Sequence, residues 1–172
     1  MKFVQLRAIE KEDLDFLYQI ENDRQYWNYS NRLEYYSKTL LKTFLEIQQQ
    51  DIYKTRQKRF VITSDENTKC GFVDLFEFEP KHQRASVGII LKEEFRLKGI
   101  GYRALSLLEE YAEDTLNLHQ VYANIASENI ASIKLFEKSN YKRISIKKDW
   151  NFYNNKFHDE LLYQKLFLVT KP

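Results

Sequence analysis

The 172-residue chain carries one cysteine, Cys70, and two prolines, Pro80 and Pro172, and it is poor in glycine, with four. A lone cysteine excludes a disulfide framework and a four-cysteine zinc site, and it fits a reducing compartment. With so little proline and glycine, no repeat and no low-complexity stretch, nothing marks a linker, and residues 1–172 read as one domain. No window approaches 18 uncharged apolar residues, which argues against a membrane-spanning helix. The opening Met1-Lys2-Phe3-Val4-Gln5-Leu6-Arg7 lacks the apolar stretch of a signal peptide, so a cytoplasmic protein with no membrane partner is expected. Basic and acidic residues nearly cancel, 27 against 25, and the strong basic excess of a nucleic-acid binder is missing. His82, His119 and His158 show no metal-ligand spacing, so no metal is expected. The basic run Lys54-Thr55-Arg56-Gln57-Lys58-Arg59 has no interleaved aromatics and reads as a solvated loop.

Aromatic residues, by contrast, are plentiful at 15%, and their large buried areas let a short chain build a sizeable core. Residues 3–9 alternate as a strand, and residues 10–22 place Leu14, Leu17, Tyr18 and Glu21 at helical spacing. Residues 22–31 read as a loop. Asn31-Arg32-Leu33-Glu34 fits a capping box opening a second helix, continued by Leu40, Leu41, Phe44, Leu45 and Ile47. Strands follow at 58–63, 71–78 and 85–91, then a helix at 101–116, a strand at 120–126, a helix at 129–139, and strands at 141–147 and 160–169. The order β-α-α-β-β-β-α-β-α-β-β predicts a layered α/β domain with a mixed sheet.

The most informative segment is Leu91-Lys92-Glu93-Glu94-Phe95-Arg96-Leu97-Lys98-Gly99-Ile100-Gly101-Tyr102-Arg103, which follows a strand and opens an amphipathic helix. Glycine allows a tight turn and a close ligand approach, and the first N–H groups of a helix attract anions. Arg96, Lys98 and Arg103 add positive charge, so the segment reads as a pyrophosphate cradle. Both the G-x-G-x-x-G dinucleotide fingerprint and the P-loop spacing are absent. A second constellation begins at Asn129, a good helix cap, and ends at Asn140, a plausible left-handed exit.

Arg96-Leu97-Lys98-Gly99-Ile100-Gly101 resembles the acetyl-CoA loop, Q/R-x-x-G-x-G/A, of the GNAT family of N-acetyltransferases. Asn129-x-Ala131-Ser132-x-x-Leu135-Phe136-Glu137-Lys138-x-x-Tyr141 resembles that family's following motif, N-x-x-A/S-x-x-L-Y-E-K-x-G-F. Residues 4–14, 59–62, 72–77, 82–85 and 152–157 are similar to the branch holding bacterial spermidine and ribosomal-protein N-acetyltransferases. The resemblance implies a mixed, mostly antiparallel central sheet with helices on both faces, split into a V where the strands ending near Leu91 and Ala126 splay apart. It implies acetyl-CoA as co-substrate, held by Ile89, Ile90 and Leu91, by Arg96, Leu97, Lys98, Gly99, Ile100, Gly101 and Tyr102, and by Asn129, Ser132, Phe136 and Lys138. The pantetheine arm would add to the free strand edge at 89–91.

Two departures stand out. The family's usual acid, a tyrosine, is here Phe136, which has no hydroxyl; Ser132 matches a serine proposed for that role in some relatives, and Tyr141, Tyr153 and Tyr163 are further hydroxyls. Acidity is also thin. Residues 28–50 supply only Glu34 and Glu46, and Asp74 and Glu77, three apart on a strand, should face opposite ways. Asp74 is the candidate to take the ammonium proton. The expected reaction is N-acetylation of a primary amine, either a small polyamine-like molecule or a protein N-terminus. Weak polyamine turnover is expected, because an aromatic wall from Tyr26, Trp27, Tyr29, Tyr35 and Tyr36 with one carboxylate suits a single amine. The rival reading is a non-catalytic CoA-binding regulatory module. The oligomeric state stays open, a homo-oligomer included.

Overall fold

A computed structural model describes residues 3–30 and 33–167. Seven strands form one sheet in the order β1-β2-β3-β4-β5-β7-β6, with β1 at Gln5–Ala8, β2 at Lys58–Ser64, β3 at Thr68–Glu79, β4 at Arg84–Leu91, β5 at Gln120–Ala126, β6 at Lys142–Tyr153 and β7 at Lys156–Leu166. Every neighbouring pair is antiparallel except β4 with β5. The mixed, mostly antiparallel sheet is as expected.

The helices cover both faces. α1 (Leu14–Glu21) and α2 (Lys38–Gln48) pack Leu17, Ile20, Leu41 and Leu45 on Val61 and Phe72. α4 (Ile100–Glu110) and α5 (Ile130–Lys138) cover the other face, where Leu105, Leu108 and Phe136 meet Val73, Leu75, Val87 and Ile125. Each fully buried Leu, Ile or Phe contributes about 1.5–3 kcal/mol relative to exposure, so the two cores hold the helices to the sheet. A short α3 (Ile52–Thr55), not foreseen, takes in Lys54 and Thr55 of the run read as a solvated loop, and Lys58 and Arg59 of that run open β2.

The second helix corrects the sequence reading. It opens at Lys38, where the Ser37 side chain accepts from the Leu40 N–H at 3.1 Å. Asn31 and Arg32 lie outside the described residues, and Leu33 and Glu34 precede the helix. The exit at Asn140 is left-handed as expected, with φ 67°. The last two strands form a longer hairpin than predicted, turning at Asn154 and Asn155 with φ 51° and 56°, the pattern of a two-residue turn that matches strand twist. Val169, placed in the last strand, lies outside the described residues.

Candidate active site

β4 and β5 pair only at Arg84↔Gln120, Ala85↔Val121 and Ser86↔Tyr122, although β4 continues to Leu91 and β5 to Ala126. Beyond Ser86 and Tyr122 the sheet is therefore split, as the resemblance implied. The Lys92 N–H donates to the Cys70 carbonyl at 2.9 Å, which bonds the even-numbered residues of β4 to β3. By alternation the backbone groups of Ile89 and Leu91 face the gap. Ile90 does not share this role; it pairs with Phe72 and packs against the α1–α2 core.

The loop after β4 has left-handed backbone at Leu97 (φ 57°) and Gly99 (φ 80°). Leu97 is fully exposed. The first backbone bond of α4 runs from the Arg103 N–H to the Gly99 carbonyl at 3.1 Å. Ile100, Gly101 and Tyr102 thus carry the N–H groups left over at the helix start, at the segment read as a pyrophosphate cradle. Gly101 owes its identity to packing rather than to ligand approach: a Cβ there would lie 3.2 Å from Leu135 Cδ2 and 3.3 Å from Leu91 Cδ1.

The expected ring of cations is thinner than the sequence implied. Arg96 Nε donates to the Leu91 carbonyl at 3.1 Å, its NH2 group donates to Gln25 Oε1 at 3.3 Å, and its guanidinium lies over the Tyr26 ring. The Tyr26 hydroxyl donates to the same carbonyl at 3.3 Å. Arg96 thus ties the segment Arg24–Tyr29 to the end of β4. Arg103 is drawn along α4 to Ser106 and Glu110, and Lys98 stays exposed at the loop.

On α5, Asn129 acts as the helix cap, its side chain accepting from the Ser132 N–H at 3.2 Å. Ser132 is half-buried in the first turn. Phe136 is buried edge-on to Tyr141, with centroids 4.9 Å apart, and the Lys138 ammonium lies 5.2 Å from the Tyr102 ring, linking α5 to α4. The other candidate hydroxyls are engaged elsewhere. Tyr141 is core, and burial beside Glu109 pushes its hydroxyl pKa up. Tyr163 donates to Glu137 at 2.8 Å. Tyr153 donates to Glu128 at 3.1 Å and stacks on His158; burial and then Glu128 push it up to about 12.

The face opposite α4 and α5 carries the charged chemistry. Arg59, Asp74 and Gly88 lie side by side across β2, β3 and β4. Asp74 is held by a two-pronged bond from Arg59, Nε to Oδ1 at 2.6 Å and NH2 to Oδ2 at 2.8 Å, and Arg59 NH1 also donates to Glu21 at the end of α1. The Arg59 guanidinium sits over the Phe44 and Phe72 rings and lines a recess of about 200 Å³ with Phe44, Gln48, Asp74 and Phe76. Glu77 does not obey the expected alternation. The β3–β4 register shifts between Phe76 and Glu79, Glu77 has φ 50°, and its carboxylate accepts from the Tyr122 hydroxyl at 2.6 Å. The aromatic wall forms in part: Trp27 meets Tyr35 edge-on at 4.9 Å, with Arg24 over both rings.

Sequence reading passed over Arg59 because it closes a basic run; as the second residue of β2 it shares a face with Val61, a signal available from period 2. Glu21 and the His158–Glu128 contact (2.8 Å) join residues far apart in the chain, and no local pattern marks them. Among the described residues no three His, Cys, Asp or Glu side chains gather as a metal would need, and no helix is long and apolar enough to cross a membrane.

A strand edge opens beside a helix start, with a charged recess one strand away. The chain matches the acetyltransferase (GNAT) domain family over residues 4–142 and belongs to it. It is an acetyl-CoA-dependent N-acetyltransferase that acylates an amine. Among curated relatives it is similar to the spermidine N(1)-acetyltransferase of Escherichia coli K12, 30% identical over 78% of this chain and 70% of that protein. The Vibrio cholerae spermidine N(1)-acetyltransferase is 28% identical over 90% of this chain and 87% of that one. Among solved structures, the Vibrio cholerae spermidine N-acetyltransferase in complex with CoA and spermine matches with a TM-score of 0.87 and 26% identity, covering 95% of each chain. A dodecameric structure of the same Vibrio enzyme matches with a TM-score of 0.79 at 26% identity, covering 95% of this chain and 93% of that one.

Proposed function

We propose that the acceptor is an aliphatic primary amine of the polyamine class, and that it reaches the thioester from the face bearing α1 and α2. The observation that carries this reading is the row Arg59–Asp74–Gly88, which ends at the strand whose edge is open to the acyl carrier. The spermidine relatives and the spermine-bound neighbour support the same chemistry.

In this reading Ile89 and Leu91 bind the pantetheine arm through backbone groups, and a backbone N–H there polarises the thioester carbonyl. The N–H groups opening α4 hold the pyrophosphate. Asp74 draws the ammonium in and takes its proton, directly or through water, since aliphatic amines are mostly protonated at neutral pH. The neutral nitrogen forms the C–N bond and gives up its second proton as the C–S bond breaks; Ser132, at the start of α5, passes its own proton to the departing thiolate and takes up that second one. Holding the two substrates together accounts for most of the rate.

A monoamine or a peptide N-terminus is the second reading, favoured by the state of the carboxylates. Asp74 and Glu21 are paired with Arg59, Glu77 with Tyr122, Glu160 with Lys147, and Glu128 with His158. A polyamine would then need further negative charge, which a neighbouring subunit could lend. We propose a cytoplasmic homo-oligomer for that reason. The edge strand β6 exposes Ile144, Ile146, Trp150 and Phe152, and one structural neighbour is dodecameric. Sedimentation at working concentration decides the assembly, and a monomer overturns it. Steady-state kinetics on spermidine, spermine, simple monoamines and N-terminal peptides decide the acceptor. The spermidine relatives and the spermine-bound neighbour reverse the weak polyamine turnover expected from the sequence, and a spermidine kcat/KM of about 10⁴ M⁻¹s⁻¹ or more is the expected result. Turnover of peptides alone would replace the polyamine reading with the second one.

A further inference from the structure

We infer that Arg59 is the positioning residue of the acceptor side: it fixes Asp74 at the edge of the split and ties it to α1 through Glu21. The inference rests on the amine-acceptor reading above and adds the group that organises that site.

The geometry is specific. A carboxylate on a strand is free to swing about two side-chain torsions, and its direction decides whether it meets an ammonium. The planar fork of Arg59 contacts both Asp74 oxygens, at 2.6 and 2.8 Å, which removes that freedom. The third arm, NH1, reaches Glu21 at the last residue of α1. The guanidinium is itself held flat over Phe44 of α2 and Phe72 of β3, 5.3 and 5.2 Å from the ring centroids, and the side chain is 18% exposed. One residue therefore joins α1, α2, β2 and β3 at the place where the helices face the sheet.

Gly88 shows why this placement serves the site. It is the register partner of Asp74 on β4, and a Cβ there would lie 3.9 Å from Asp74 Oδ2 and 3.3 Å from the Phe76 ring. The space a side chain at 88 would take is shared by the Phe76 ring and the Asp74 carboxylate, and β3, which carries Asp74, lies one strand spacing, about 4.8 Å, from β4. Two carboxylates meet one guanidinium in this cluster, and Lys58 lines the same recess, its ammonium held by the Gln48 carbonyl at 3.0 Å.

The test is a double-mutant cycle on the full chain with Arg59→Gln, Asp74→Asn and the pair, alongside Arg59→Lys. Calorimetry reads acetyl-CoA and spermidine binding separately, and steady-state assays read kcat and KM. Arg59→Gln should weaken spermidine binding and raise its KM at least tenfold, leaving acetyl-CoA affinity within twofold. The double variant should lose no more than Asp74→Asn alone, because Arg59 acts through Asp74. Arg59→Lys, which keeps the charge and loses the fork, should recover part of the binding, and it replaces Arg59→Gln should that protein not fold. Additive losses, or unchanged amine binding in a folded Arg59 variant, would overturn the inference. Binding needs no turnover, so Arg59-dependent spermidine binding with acetylation of peptides alone would defeat the polyamine reading while leaving Arg59 tested.

Discussion

Two clusters of opposite charges flank α1, and they differ in what surrounds them. At its start, Asp13 is 1% exposed, accepts both prongs of Arg7 at 2.7 and 2.8 Å and the Glu10 N–H at 2.9 Å, and pairs with Lys69 at 2.6 Å. At its end, Glu21, Arg59 and Asp74 are 15–19% exposed and border a recess. The first cluster has both Asp13 oxygens engaged by the protein and the carboxylate itself buried, with only its cationic partners reaching solvent, so it closes a helix onto the sheet. The second uses the same fork but leaves one carboxylate near an open strand edge. Similar ion pairs thus serve as a staple in one place and border a recess in the other, and the adjacent opening separates the two.

The largest expected effect breaks the first cluster. Removing one partner of a buried ion pair costs about 3–5 kcal/mol, so Asp13→Asn should lower unfolding stability by that order in denaturant titrations. Turnover per folded molecule should stay unchanged. Burial alone would push the Asp13 carboxyl up, but the hydrogen bonds from Arg7, Lys69 and the Glu10 N–H outweigh it and hold the group well below the usual carboxylate range. A depressed folded-state pKa stabilises the protein above the unfolded value of about 3.9 and loses that contribution as pH falls below it. Wild-type stability should therefore drop below about pH 4 more steeply than that of Asp13→Asn. Asp74→Asn should show the reverse balance: a small stability change, since Arg59 keeps Glu21, and a large loss in kcat/KM. A comparable loss of stability in both variants would erase the distinction between the clusters.

The carrier loop offers a third case, a site made of backbone rather than charge. Gly99 has φ 80°, and a Cβ added there would meet nothing within 4 Å, so space is not the constraint; conformation is. Gly99→Val puts a β-branched side chain in the left-handed region and forces the loop to rebuild. Calorimetry should show acetyl-CoA affinity falling at least tenfold with the circular dichroism of the fold retained. Unchanged affinity would mean that the N–H groups of residues 100–102 do not hold the pyrophosphate.

These contrasts explain what could be read from the amino-acid order. The carrier side is built from contiguous residues. Leu91 through Arg103 and Asn129 through Tyr141 each carry a strand end, a cap and a helix start, so motif and periodicity placed β4, α4, β5 and α5 to within a few residues. The acceptor side is built across the chain. Arg59 meets Asp74 and Glu21 through 15 and 38 residues of separation, which no local pattern encodes. Alternation failed where the strands are irregular: at Glu77, where the register shifts, and along β6, which is exposed on both faces and carries φ 49° at Asp149. The extra turns were hidden as well, because Asn154-Asn155 follows aromatic residues that could have belonged to a loop.

The smallest expected effect concerns Phe136, where the chain departs from the family motif. The ring is 3% exposed and packs edge-on to Tyr141, with centroids 4.9 Å apart. Phe136→Tyr adds one hydroxyl and little volume. A hydroxyl buried without a partner costs about 1–3 kcal/mol, so a fall in thermal stability of that order would show that the para position points into the core. With Ser132 one turn away on the same face of α5, the expected outcome is instead a hydroxyl directed to the split: stability close to wild type, acetyl-CoA affinity within twofold, and kcat equal or higher. Equal kcat would mean that Ser132 or solvent already protonates the thiolate, and Ser132→Ala in the Phe136→Tyr background should then be tolerated better than Ser132→Ala alone. A large loss of kcat with cofactor binding intact would show that the apolar ring itself is required beside the thioester, and the assignment of Phe136 as a packing residue would fall.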